Sequence, residues 1–584
     1  MNIRSCRTVL FFLIITVLCN FSNVSTSVFA QVPPGKDIGT LERDIKDTKE
    51  KELLKKRLEV EKEQVPIEGE GAKPQVPTEV PKIAETKVLI NKIIVTGVAI
   101  FGDKKIRPLV AQYEGKELSL EDFSAIADLI TAEYRKNGYV TSFAYIPPQK
   151  VVDNTLEIAV SEGMVGNIEI DGNKNFKKEL LMRYIELETG EIFNYDELRK
   201  NVNYINEHPD RNANVVLSRG AGPRETDVNI NVKDRLPIHA ILGYNNYNSR
   251  YVDRNKYFAE LKFNNIFGLD HVASCEIQQG HTDKFHLYGA RYTMPINSKN
   301  KLGGYYIYLD QKIGKELEDW NIYGEGDVYS LFYSYKLFDF DNLSVEIDPG
   351  FELKNIKNKV RNRVTSEDRI RIAKLGLNLD FTDPLGGRSI ITHEFDIGIA
   401  EFLDGLEESD DPGSSRSVAG GEFLRTVTNA ARIQPLPYSL SFMLRGAMQL
   451  TADDMVASEQ FHIGGMNTVR GYTVAEEAGD RGGTLSAELY VPPYFIPKDK
   501  KIPYTGTTYF DALRFMLFFD CGYVQNKNPL PGERKDKALF SFGPAIRFEV
   551  PEKLSVSFDY GFCIGPDASD GTDSEGYIEV KTYF

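Results

Sequence analysis

The chain has 584 residues, with 70 Lys and Arg against 85 Asp and Glu, for a formal charge of −15. That balance excludes the basic footprint of a nucleic-acid-binding protein. Aromatic residues reach 11%, as 34 Phe and 30 Tyr beside a single Trp. Past the first 30 residues no run of 18 apolar residues occurs, which excludes a membrane-spanning helix but not a membrane β-barrel, whose strands show no such run.

Residues 1–30 read as a secretory signal peptide, with Arg4 and Arg7 as the basic start, Val9–Leu18 as the apolar core and Val28-Phe29-Ala30 as the cleavage site. Leu18 before Cys19 does not fit a lipoprotein signal. Cys6 and Cys19 fall in this segment. Cys275, Cys521 and Cys563 are too widely spaced for a disulfide framework, and free thiols are expected.

Residues 31–64 form an N-terminal arm. Its charged part, Asp37–Gln64, carries Ile38, Leu41, Ile45, Leu54 and Leu58 at helical spacing. Two readings stand for it: one solvated helix with a thin apolar stripe, or a charged arm without fixed structure. Residues 65–87, with Pro66, Pro74, Pro77 and Pro81, read as an extended linker.

Residues 88–162 and 163–234 repeat one order, β-α-α-β-β. In the first copy a strand over Leu89–Val95 precedes a helix over Lys104–Tyr113. Ser119 caps a second helix, with Leu120, Phe123, Ala127, Ile130 and Tyr134 on one face, and Gly138 stops it. Strands over Tyr139–Ile146 and Thr155–Val160 follow. The second copy offers Val165–Ile170, helices near Lys178–Leu187 and Tyr195–Glu207, then Asn214–Ser218 and Thr226–Val232.

From residue 235 to 584 helical periodicity disappears. About 16 runs of roughly ten residues alternate polar and apolar between Asn, Asp, Gly and Lys turns, the pattern of a membrane barrel. Examples are Lys256–Asn264, Phe285–Met294 and Ser541–Val550. In the last run Ile578, Val580, Thr582 and Phe584 share one face.

Two motifs stand out late in the chain. Phe461–Tyr472, FHIGGMNTVRGY, sits in a long polar segment between two strand-like runs and centres on Val469, Arg470, Gly471 and Tyr472. The guanidinium of Arg470 suits a carboxylate fixed in place. Asp520 offers one, as the only charge between Phe515 and Val524, and a charge in such a run needs a partner or a wet surface. If Asp520 points inward, Cys521 points outward. If Phe558, Tyr560 and Phe562 point outward, Cys563 points inward. Motifs for a P-loop, a zinc protease or a serine hydrolase are absent. No catalytic residue, nucleotide, cofactor or metal is expected, and His281 and His286 are the weak metal candidates.

The VRGY motif followed by the FFDCG strand resembles the outer-membrane protein-assembly and two-partner-secretion superfamily. The two repeats are similar to periplasmic polypeptide-transport-associated (POTRA) domains. GYVTSFAYIPPQ and NEHPDRNANVVLSRGAGPRETDVNINVKDRLP are close to the two-partner-secretion form. The resemblance implies a transmembrane antiparallel β-barrel of 16 strands, preceded by two α+β POTRA domains and an N-terminal helix that plugs the pore. It implies that the VRGY loop follows strand 11 into the lumen, that Arg470 pairs with Asp520 on strand 13, and that Phe584 serves as a sorting signal. The implied function is export, or export with activation, of a large exoprotein such as a haemolysin or adhesin. The implied partners are that client in extended form, outer-membrane lipid, and the barrel-assembly machinery during biogenesis. The second reading is an assembly insertase of the same superfamily.

Overall fold

The computed structural model describes residues 87–584 apart from Asp341, together with the backbone of Ile67–Glu68. The signal peptide, the arm and most of the linker lie outside the described residues.

In the first repeat Lys92–Thr96 pairs parallel with Thr155–Ser161, which pairs antiparallel with Phe143–Tyr145. The strand expected over Leu89–Val95 breaks at Asn91. Val88–Ile90 pairs instead with Lys116–Leu118, so the two halves have different partners. The expected strand from Tyr139 shortens to Phe143–Tyr145, because Ser142 N–H turns back onto the Tyr139 carbonyl. Helix Leu120–Lys136 starts at a capping box in which Ser119 and Asp122 satisfy each other's backbone N–H. Phe123, Ala127, Ile130 and Tyr134 are buried, but Leu120 is 54% exposed. It opens the helix, and helical side chains lean toward the N-terminus, so it overhangs the cap instead of the sheet.

In the second repeat, strands Arg211–Arg219, Glu225–Asp234 and Met164–Asp171 lie in that order, under helices Lys178–Met182 and Tyr195–Asn206. The edge strand Arg211–Arg219 has a visitor: Ile67–Glu68 of the linker pairs with it in parallel, in register with Val215 and Val216. One residue pair nearer the strand's start, the Asn206 side chain closes the edge by accepting from Ala213 N–H and donating to its carbonyl.

Sixteen antiparallel strands from Ile238 onward close a barrel. The first, Ile238–Asn245, meets the last, Ser574–Tyr583, from Ile241↔Tyr583 to Asn245↔Glu579. Phe584 extends the seam by exchanging backbone hydrogen bonds with Ala240 at 2.9 and 3.1 Å. Outward positions carry exposed Leu242, Ile277, Leu331, Leu375, Leu424, Leu517 and Phe542. So much bare apolar surface belongs against lipid. The sixth to eighth strands run 19, 18 and 20 residues, nearly twice the sequence reading. About 9–11 residues cross a bilayer. The excess around the turn at Arg361–Asn362 is rich in Lys, Arg, Asn and Glu, with Ile322, Ile356 and Val360 tucked into an apolar cluster on the inner face, so the outward apolar positions that mark a membrane strand are missing there.

The second repeat is bolted to the barrel through the NEHPDR segment. Asp210 accepts from Arg235 Nε at 2.8 Å, His239 Nε2 at 2.6 Å and Asn264 Nδ2 at 2.8 Å. Arg211 pairs with Asp270 in a barrel turn at 2.7 Å, and Glu207 pairs with Lys336 at 2.6 Å. His208 donates from Nε2 to the Asn264 carbonyl at 2.8 Å while its Nδ1 accepts from Asp210 N–H at 3.1 Å. This arrangement requires the neutral ring, and burial holds the imidazole below its ordinary value. The joint's His208 contribution is therefore full above about pH 6.5 and is lost as pH falls below that value. Spin-label distances between the second repeat and the barrel should broaden between pH 7.5 and 5.5. In His208→Gln, whose amide can make both bonds, they should not.

Candidate functional site

The eleventh strand, Ser441–Thr451, runs away from the repeats, so the segment 452–480 leaves the barrel at the far mouth before the twelfth strand, Arg481–Val491. It does not project outward. A two-stranded ladder, Phe461–Ile463 with Glu477–Gly479, carries the VRGY motif between its legs. Phe461, Ile463, Val469 and Tyr472 bury against Val524 and Leu539 of the inner wall. Burial of these side chains at about 1.5–3 kcal/mol each draws the segment into the lumen.

At its tip Arg470 is 1% exposed. Its Nε and Nη2 each lie 2.8 Å from Asp520, on the thirteenth strand, Leu513–Gln525. Its backbone N–H reaches the same carboxylate at 3.1 Å. Nη1 donates to Asp559 at 3.0 Å, on the fifteenth strand, Leu554–Ile564. Nη2 also donates to Glu488 at 3.0 Å and Ser486 Oγ at 3.1 Å. The guanidinium lies 3.5 Å from the centre of the Phe518 ring, a cation–π contact strengthened by desolvation. Arg445 backs Glu488 at 2.7 Å and Arg547 backs Asp559 at 2.7 Å. The cage thus balances three guanidinium groups with three carboxylates.

Two glycines let the tip lie flat. Gly471 takes φ +98°, and a Cβ on Gly561 would stand 2.6 Å from the backbone of Arg470 and Gly471. Gly471 N–H donates to Tyr577 Oη at 3.1 Å, and that hydroxyl donates to the Tyr472 carbonyl at 3.0 Å. Cys563 points inward, with Sγ 3.2 Å from the Gly471 carbonyl. Cys275, Cys521 and Cys563 are free.

A second charged cluster holds the stem of the same segment. Glu459, fully buried, lies 2.8 Å from Lys354 Nζ and 2.5 Å from Arg425 Nη1. Arg425 also pairs with Asp396 at 2.5 Å. Lys354 lies 3.7 Å from Glu352, and Lys374 lies 3.5 Å from Glu352 and 2.9 Å from Glu394. Gln449 ties the two legs, donating to the Glu459 carbonyl at 2.7 Å and the Asp480 carbonyl at 2.9 Å. At the mouth Arg416 reaches Asp480 and Glu533, both at 2.8 Å.

The structure therefore brings Val469, Arg470, Gly471, Tyr472 and Asp520 into one site. Phe584 lies apart, at the end of the seam. Asp559, Glu488, Arg445, Arg547 and Glu459 escaped the sequence reading. His281 sits in a turn, and His286 is held between Asp283 and Asp310. Among the described residues no group of three or more His, Cys, Asp and Glu is placed to hold a metal ion.

The family described as haemolysin secretion/activation protein ShlB/FhaC/HecB matches residues 224–546. A ShlB-type POTRA domain matches 88–163, and a POTRA family described as surface antigen variable number repeat matches 164–235. The chain is 23% identical over 458 residues to the heme/hemopexin transporter protein HuxB of Haemophilus influenzae (strain 86-028NP), covering 77% of this chain and 78% of that protein. It is 21% identical over 460 residues to the outer membrane transporter CdiB of Escherichia coli O6:K15:H31, covering 76% and 74%. Among solved structures, CdiB from Escherichia coli superposes with a TM-score of 0.76 at 19% identity, covering 95% of this chain and all of that one. CdiB from Acinetobacter baumannii gives 0.67 at 14%, covering 96% and all of that chain.

Proposed function

The chain belongs to the haemolysin secretion/activation family ShlB/FhaC/HecB, and from that premise we propose that it moves one large exoprotein, unfolded, from the periplasm through its own barrel to the cell surface. It is an outer-membrane transporter with its POTRA domains on the periplasmic side. The observation that carries the proposal is the loop seated in the lumen: a barrel whose bore is occupied by a segment hung on ion pairs has a built-in stopper that can leave without unfolding the wall.

Client capture fits strand addition, which reads backbone more than side chains. The first POTRA sheet offers little edge: Glu114 accepts from Ile93 N–H at 2.8 Å, and Thr131 Oγ1 accepts from Ala144 N–H at 2.9 Å. The second offers Arg211–Arg219 beyond the Asn206 cap. No nucleotide enters this scheme, and folding of the client outside supplies the direction. In this reading the arm over 31–64, outside the described residues, fills the pore at rest, and Phe584 addresses the barrel to its assembly machinery.

Deleting the gene should remove one very large protein from the culture supernatant, with the outer-membrane protein profile unchanged, and the intact gene should restore it. A supernatant that stays the same while other outer-membrane barrels decline would favour the insertase reading.

A further inference from the structure

We propose that the lumen loop hangs from two separable anchors, and that the releasable one is the stem anchor, Glu459 on Lys354 and Arg425. The proposal rests on the reading of the loop as a stopper and assigns the step by which it opens.

Withdrawing Arg470 from the tip cage leaves Arg445 and Arg547 facing Asp520, Glu488 and Asp559: two cations among three carboxylates. Asp520 is then left without a cation, a costly state in a confined site. Withdrawing Glu459 does the reverse. The stem cluster holds Lys354, Lys374 and Arg425 against Glu352, Glu394, Asp396 and Glu459. Without Glu459 it becomes three cations and three carboxylates, and each cation keeps a wall partner: Arg425 keeps Asp396, Lys354 keeps Glu352, and Lys374 keeps Glu352 and Glu394. The wall is complete without the stem but not without the tip.

The two anchors also face different sectors. The tip cage belongs to the eleventh to fifteenth strands. The stem partners belong to the seventh to tenth, Leu343–Val360, Arg363–Thr382, Arg388–Gly398 and Phe423–Pro435. Release at Glu459 removes the loop's side-chain ion pairs to the second sector while Arg470 stays pinned, and leaves the remaining six charges of that cluster balanced. Glu459 is thus a positioning residue that sets how often the stopper opens.

The test is single-channel recording in planar bilayers on the purified full-length protein, with folding checked by heat-modifiable migration on gels. Glu459→Gln should raise open probability by roughly threefold or more by shifting the seated population, and Lys354→Gln should do the same. The double variant should add little, because both remove one contact. Glu459→Asp, which keeps the charge but is a methylene shorter, should fall between wild type and Glu459→Gln. If Glu459→Gln does not fold, Lys354→Gln carries the expectation alone. Unchanged openings in folded Glu459→Gln, or simple addition in the double variant, would overturn the two-anchor proposal. Arg470→Ala in the same bilayers separates the layers: if it too leaves the conductance unchanged, the stopper reading itself fails.

Discussion

Arg470→Ala should reduce secretion of the client by at least about tenfold while the amount of folded barrel in the membrane stays near wild type. The side chain is wholly buried and serves three carboxylates and a serine hydroxyl. Removing one member of a buried ionic network costs about 3–5 kcal/mol because its partners remain. Each 1.4 kcal/mol is about tenfold in a population, so even the lower figure shifts the seated loop more than a hundredfold. The barrel wall keeps its ladders and loses only the seat. Arg470→Lys should recover little, since an ammonium is a point charge and cannot present Nε and Nη2 side by side to Asp520. Secretion assayed in the supernatant, against barrel quantified in washed outer membranes, checks both; wild-type secretion by Arg470→Ala would remove the tip cage from the mechanism.

Gly561→Val should unseat the loop by a different route. Even a Cβ at 561 would stand 2.6 Å from the Arg470 carbonyl carbon and the Gly471 nitrogen, well inside any real contact. Those atoms are backbone and cannot rotate away. Every ion pair of the cage remains available in this variant, so the loss is purely of shape. Bilayer conductance should rise and secretion should fall by about tenfold, on the same population argument. Gly561→Ala should fall between wild type and Gly561→Val. A Gly561→Val protein with normal secretion and conductance would mean that the loop rests elsewhere in the working transporter.

The barrel was readable because lipid enforces alternation strand by strand. It became unreadable where strands leave the lipid, as in the sixth to eighth, whose far ends no longer present an apolar face to a bilayer. Asp520 was visible because it interrupts an apolar run. Asp559 is equally buried and lies only slightly farther from Arg470, at 3.0 Å, yet it sits between Phe558 and Tyr560 with Asp567, Asp570 and Asp573 nearby, in a chain of 85 acidic residues. Its importance comes only from which wall it faces and what is seated opposite. Glu459 carried no local signal at all, because its partners lie 34 and 105 positions away, on strands whose juxtaposition is set by the barrel. The NEHPDR segment carries a resemblance in its sequence, while its physical role, a stiff joint built on Asp210, depends on where the barrel places Arg235, His239 and Asn264.

The short parallel pairing of Ile67–Glu68 with Val215–Val216 has a kinetic consequence. A tethered strand competes for that edge at an effective concentration on the order of millimolar. An incoming strand in free solution, present at far lower concentration, would almost always find the edge taken. A successful client must therefore bring several contacts at once, or arrive already held nearby. Chance peptides in the periplasm, which bring neither, would be turned away without any sequence being read.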